Sequence, residues 1–118
     1  MVNQDAFKDP IVDVEFLETR KDMGNSFFKN LVEVFNLEIL TLITQLKKSY
    51  QAGDFEAVKN HGHKLKGMSM NLGAVYLSRL GEEIEESRPE TLQRAVGQLD
   101  DAYDKTQQVL AGMVKESI

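Results

Sequence analysis

Two histidines, the only ones in the chain, stand one residue apart in the stretch His61-Gly62-His63-Lys64-Leu65-Lys66-Gly67-Met68-Ser69-Met70-Asn71-Leu72-Gly73-Ala74. Imidazole serves as metal ligand, proton carrier or nucleophile, so the first question is whether the pair acts together. On a helix, residues two apart point about 200° from one another, so His61 and His63 cannot share a metal ion. Helical two-histidine metal sites use spacings of three or four residues, as in H-E-x-x-H. A metal site in a bundle core draws on Glu-x-x-His, and no histidine here follows a glutamate by three. No metal site and no cofactor of the chain's own are expected.

With His63 as origin and about 100° per residue, Val58, His61, Leu65, Met68 and Leu72 fall within about 40° of the opposite direction. That spacing predicts a core-facing stripe. It makes His61 a buried or half-buried residue whose ring nitrogen satisfies a neighbouring polar group. The face around His63 carries Lys59, Asn60, Lys66, Gly67 and Met70. It is a solvent face, basic within an acidic protein. Gly67 costs a helix interior about 1 kcal/mol relative to alanine. One turn from an imidazole, it also removes the side chain that would block an approaching partner. Lys66 can set an ammonium beside an anion on His63, and Met70 offers a soft apolar contact. Together these suit a histidine that becomes anionic while another protein comes close.

The elements that position this face read as helices throughout. Phe28, Val32, Phe35, Ile39, Leu42 and Leu46 are spaced alternately by four and three residues, which predicts one long helix over about 26–51. Gly53 and Asp54 supply a stop and an N-cap, and a helix over 55–72 follows, closed by Gly73. The next helix, over 75–87, sets Leu77, Leu80 and Ile84 against Glu82, Glu83, Glu85 and Glu86. Ser87-Arg88-Pro89-Glu90 has the form of a capping box that opens the last helix, with Leu92, Ala95, Val96, Leu99, Ala102, Tyr103, Thr106, Val109, Leu110 and Met113 on its apolar side. Upstream, Pro10 to Lys21 predicts a short first helix burying Ile11, Val14 and either Leu17 or Phe16. The expected fold is all-α: an antiparallel up-down four-helix bundle with an additional short N-terminal helix. The 118 residues form a single domain, with its core over about 10–115.

Composition narrows the function. A formal charge of −5 argues against nucleic-acid binding, which needs a basic face to neutralise phosphates. The absence of cysteine removes disulfides, thiol nucleophiles and zinc–thiolate sites, and suits a reducing cytoplasm. The first ten residues lack the pattern of a signal peptide. Lys29, Glu33 and Glu38 interrupt the most apolar stretch, so no membrane span is expected. A cytoplasmic location follows as the expectation. So does a monomer, since no exposed heptad seam is read beyond the bundle core.

The segment His63-Lys64-Leu65-Lys66-Gly67-x-Ser69-x-x-Leu72-Gly73-Ala74 resembles the signature of histidine-containing phosphotransfer (HPt) domains, H-x-L-K-G-x-S-x-x-[LI]-G-A. The resemblance covers about residues 10–115. It implies that His63 accepts a phosphoryl group through its outer ring nitrogen, that Lys66 neutralises that group and that Gly67 leaves room for the partner. Lys59, Asn60 and Met70 would share in partner docking. Ser69, nearer the flank, is read as a local hydrogen-bonding or packing residue, and Gly73-Ala74 as the tight turn into the next helix. In related domains a polar side chain on that next helix hydrogen-bonds the inner ring nitrogen. By spacing the candidate is Glu85, with Glu82 one turn before it; a run of four glutamates in five residues also reads as a solvated face. Met68 and Met70 stand where the family often has small residues, and Gly62 where it often has alanine.

The function so implied is that of a phosphocarrier in a multistep two-component phosphorelay, not an independent enzyme. Phosphate would pass from an aspartyl phosphate on one receiver domain to His63 and on to a second receiver. A hybrid histidine kinase and response-regulator receiver domains are the implied partners, with magnesium on the receiver. One alternative is a phosphotransfer module excised from a chemotaxis or hybrid kinase; the start at Met1 and the compact ends favour a free-standing protein. Another is a helical adaptor that binds a receiver or kinase without being phosphorylated.

Overall fold

The computed structural model describes residues 11–116, which fold as α1 (Val14–Lys21), α2 (Asn25–Gln51), α3 (Phe55–Leu72), α4 (Val75–Glu86), α5 (Leu92–Gly97) and α6 (Leu99–Glu116). No strand occurs among the described residues. The all-α bundle expected from the spacing is present. Helix α2 packs on α3, α3 on α4, α4 on α6, and α6 returns to α2, which closes the four-helix ring. Pro10, expected to open the first helix, lies outside the described residues.

Helix α2 forms because its apolar residues recur on one face. Phe28, Val32, Phe35, Ile39, Leu42, Ile43 and Leu46 are all buried. Its 27 residues reach about 40 Å at 1.5 Å per residue, close to the longest dimension of the molecule, 44 Å. Gly53 turns the chain with φ at 75°, and the Asp54 side chain then caps α3 by accepting from the Ala57 N–H at 3.2 Å. Gly73 ends α3 in the left-handed region at φ 84°, where a β-carbon would also press against the Phe16 ring at 2.8 Å. The Asp13 N–H donates to the Gly73 carbonyl at 2.7 Å, so the N-terminal segment clamps this turn.

Four details depart from the sequence reading. The first helix starts at Val14, because the Asp13 carboxylate accepts from the Phe16 N–H and caps it there. Leu17 and Val12 fill the core in consequence, while Val14 is 54% exposed. The capping box at Ser87 does not form: the Ser87 hydroxyl donates backward to the Glu83 carbonyl and finishes α4. The last helix is not continuous, since a 3₁₀ turn over Pro89–Thr91 and the short α5 precede a break at Gln98, after which α6 runs on. The apolar register survives that break, with Leu92, Ala95, Val96, Leu99, Ala102, Thr106, Leu110 and Met113 all buried.

The fourth departure concerns α3. Its buried residues are Val58, Gly62, Leu65, Ser69 and Leu72. The stripe is therefore rotated by about 40° from the expected one, toward α4. The cause is glycine. A β-carbon on Gly81 of α4 would lie 2.6 Å from the Lys66 nitrogen, and one on Gly62 would lie 2.8 Å from Ile84 Cγ2. Two helices whose facing positions lack side chains can bring their backbones together, and α3 turns to meet α4 there.

Candidate functional site

His63 projects from the outer face of α3 at the α3–α4 edge, its side chain 72% exposed. Its Nδ1 lies 2.8 Å from Glu85 Oε2, on a carboxylate that is only 32% exposed. A carboxylate accepts and cannot donate, so Nδ1 carries the proton in this contact. In the neutral ring the lone pair then resides on Nε2, which has no hydrogen-bond partner among the described residues. The arrangement presents a nucleophilic nitrogen to solvent on a ring whose other nitrogen is held by a fixed acceptor.

Three of the four glutamates of α4 separate into distinct roles. Glu85 meets His63, while Glu82 Oε2 lies 3.8 Å from the Lys66 ammonium and does not contact the imidazole. Glu83 receives Arg94 at 2.9 Å on the side facing α5. This division follows from helix geometry: Glu82 and Glu85 flank the α3 side, and Glu83 turns toward α5.

Lys59, Asn60, Lys66, Glu56, Glu85 and Glu86 line an open groove with His63. Lys59 and Lys66 stand one turn before and one turn after the imidazole, so a phosphoryl-sized anion at Nε2 would have an ammonium on either side along the helix. A β-carbon added to Gly67 would meet nothing within 4 Å. The missing side chain therefore serves no packing within this chain. Met70 is 59% exposed on the same face.

The other motif residues lie inward. Ser69 is fully buried, not on the flank, and its hydroxyl finds no hydrogen-bond partner among the described residues. It acts through packing. His61 is half-buried, and no neighbouring polar group satisfies its ring among the described residues, so the expected internal hydrogen bond is absent. The rotation of α3 toward α4 leaves it on the margin of the core, where water reaches it.

Of three residues that brace the site, Gly81 and Ser78 were not singled out by the sequence reading, and Gly62 was noted only as standing where the resembled family often has alanine. Gly62 and Gly81 set the close helix approach, and the Ser78 hydroxyl donates to the Lys66 carbonyl at 3.4 Å across it. The available signal was a glycine in the middle of each of two helices with no turn to make. Among the described residues no group of three or more His, Cys, Asp or Glu side chains could hold a metal ion. No described helix is long and apolar enough to cross a membrane. Away from this face, Tyr76 donates to Asp101 Oδ2 at 3.2 Å. Burial raises its pKa above the ordinary 10.0, and the hydrogen bond to Asp101 and that carboxylate's charge raise it further.

Comparison with known families gives a match over residues 30–109 to the family model of the Hpt domain. That span contains α3, α4 and most of α2 and α6. It bears out the resemblance read from the His63 segment. Curated proteins and solved structures give no match.

Proposed function

The chain belongs to the Hpt domain family, and from that premise we propose that it is a cytoplasmic phosphocarrier that relays a phosphoryl group between receiver-domain aspartates through His63. Histidine phosphotransfer in two-component phosphorelays is what the family does, and its members meet response-regulator receivers and histidine kinases. The assignment of roles within this chain is our reading. The observation that carries it is the His63–Glu85 contact, which holds Nδ1 and leaves Nε2 open to solvent.

In the forward step the Nε2 lone pair attacks the phosphorus of an aspartyl phosphate. The N–P bond forms as the bond from phosphorus to the acyl oxygen breaks, and the receiver's aspartate leaves as a free carboxylate. The ring gains positive character while Nδ1 keeps its proton, and the Glu85 carboxylate stabilises it. Lys66, with Lys59, faces the charge of the transferred group. Gly67 and Met70 form part of the surface the receiver covers, together with Asn60. The reverse attack by a second aspartate on the same phosphorus discharges His63. Phosphoryl transfer depends mostly on positioning and charge stabilisation, so a scaffold with one nucleophile suffices when the receiver supplies magnesium and the remaining charge.

The test is incubation with a panel of radiolabelled phosphorylated receivers, beside His63→Gln and His61→Gln. Acid-labile, base-stable label that appears on the wild type and on His61→Gln but not on His63→Gln is the expected result. Binding of a receiver or kinase without label, unchanged in His63→Gln, would overturn the proposal in favour of a helical adaptor.

A further inference from the structure

The outward face of α2 carries a row of exposed residues with a regular pattern of apolar and charged side chains. At about 100° per residue, Glu33, Leu40, Thr41, Thr44 and Lys48 all project within about 60° of Leu37. All six are exposed, with Leu37 at 70% and Leu40 at 47%. The Thr41 and Thr44 hydroxyls donate to the carbonyls of Leu37 and Leu40 at 3.0 and 2.9 Å. Their polar atoms are thereby occupied by the helix, and their methyl groups join the two leucines. Val34, 53% exposed, widens the same strip. Among the described residues nothing covers this strip of two leucines and two threonine methyl groups, and its residues are contiguous along the helix, unlike the scattered exposed leucines of an ordinary surface.

Charge marks its two ends. Glu33 lies at one and Lys48 at the other, and neither has an ion-pair partner among the described residues. The adjacent Lys47 is engaged by Asp100 of α6 at 2.8 Å, so it is held away from the strip. Reversed about a point between Leu40 and Thr41, the six residues first named map onto one another. Glu33 then falls opposite Lys48, Leu37 opposite Thr44, and Leu40 opposite Thr41. A surface that is complementary to its own reverse is the requirement for a twofold, isologous contact. The antiparallel arrangement also opposes the two helix dipoles favourably.

We propose that the α2 face binds a second copy of this chain, forming a twofold antiparallel helix pair centred between Leu40 and Thr41. The monomer expected from the sequence rested on the absence of an exposed seam, and this strip is such a seam. The pairing is weak, because one helix face from each copy buries less than a standard interface. It adjoins the His63 face without including it: Leu37 also edges the α2–α3 groove with Lys64 and Met68.

Sedimentation velocity on the full chain tests this, over about 10 to 500 μM, the range in which a small interface associates. The weight-average sedimentation coefficient is expected to rise with concentration for the wild type and to stay at the monomer value for Leu37→Glu. Leu37 is exposed, so that variant keeps its fold, which an unchanged circular-dichroism melt verifies. Glu33→Lys and Lys48→Glu each place like charges opposite one another and abolish the rise; the double variant Glu33→Lys/Lys48→Glu restores it. A coefficient that does not change with concentration overturns the proposal, as does a double variant that fails to recover. If wild type is monomeric throughout while Leu37→Glu loses receiver binding, the face belongs to a receiver and self-association is refuted. None of these readings depends on whether His63 carries phosphate.

Discussion

The carbonyl oxygen of Gly62 sits where a β-carbon on Gly81 would come within 2.8 Å of it. That approach brings the backbones of α3 and α4 together one residue before His63 and one turn before Glu85. The imidazole and the carboxylate grow from opposite sides of a junction that permits no side chain. The Nδ1–Oε2 distance of 2.8 Å thus depends on two residues that contact neither group through side chains.

Replacing Gly81 by alanine forces the helices apart, because the atoms it meets are the backbone of Lys66 and Gly62 and cannot rotate away. We expect a loss of about 1–3 kcal/mol in chemical denaturation, the usual scale of overpacking. The nitrogen chemical shifts of the His63 ring should at the same time report a weakened preference for the Nδ1–H tautomer. Gly112→Ala is the control. It also lies in a helix interior, but its β-carbon would meet nothing within 4 Å. It should stabilise by about 0.5–1 kcal/mol through helix propensity alone. Destabilisation by both variants would mean that the close crossing is not what Gly81 serves.

Glu85→Ala removes the acceptor without disturbing the core, since the carboxylate lies at the edge of the groove. Global stability should stay within about 0.5 kcal/mol of wild type, as for surface substitutions generally. The rate of phosphoryl transfer to His63 should fall about fivefold, equivalent to one hydrogen bond of about 1 kcal/mol. Glu82→Ala, which breaks the contact with Lys66 rather than one with His63, leaves the His63 tautomer as it was. Equal effects of the two variants on the ring nitrogens would deny Glu85 its positioning role.

The bundle was legible because its information is periodic: α2 and α3 follow from spacing and from Gly53, Asp54 and Gly73 to within a residue. The break at Gln98 was not, because the apolar register runs through it undisturbed and only the backbone changes. The Asp13 cap escaped notice for a similar reason, since Pro10 offered an equally good start upstream. The rotation of α3 was hidden because a helical wheel counts side chains and Gly62 has none. Its lack of a side chain drew Gly62 into the interface and moved His61 to the margin. Ser69 followed the same turn, from flank to core. Separating Glu85 from its three neighbours required knowing which way α4 faces, and that is a tertiary fact.

Tyr76 supplies a prediction at alkaline pH. Burial raises its pKa, followed by the hydrogen bond to Asp101 and that group's negative charge. The folded state therefore disfavours the phenolate relative to the unfolded chain. Stability from this source is fully present below the ordinary value of 10.0 and is lost as pH rises through the higher folded value. In an ultraviolet titration Tyr76→Phe should lack the component that ionises above that value. Its stability should also decline less steeply than wild type's over the same alkaline range. If the component lost in Tyr76→Phe ionised at the ordinary value of 10.0 instead, burial and the contact with Asp101 would leave the phenol unaffected.

Gly67→Ala sets stability against function. Gly67 lies mid-helix with open space where a β-carbon would stand, so alanine adds helix propensity and meets no clash within the chain. The variant should be more stable by about 0.5–1 kcal/mol. The new methyl group would project one turn beyond His63, on the face that a receiver would cover in the proposed relay. We therefore expect labelling by phosphorylated receivers to slow even as the melting temperature rises, and Gly67→Leu to slow it more than Gly67→Ala. Small phosphoryl donors such as phosphoramidate approach without a protein surface, so they should label wild type and Gly67→Ala His63 at the same rate. A uniform loss with both kinds of donor would place the effect of Gly67 on the imidazole itself. Loss confined to receivers assigns the glycine to docking, which accounts for a residue that weakens the helix one turn from His63.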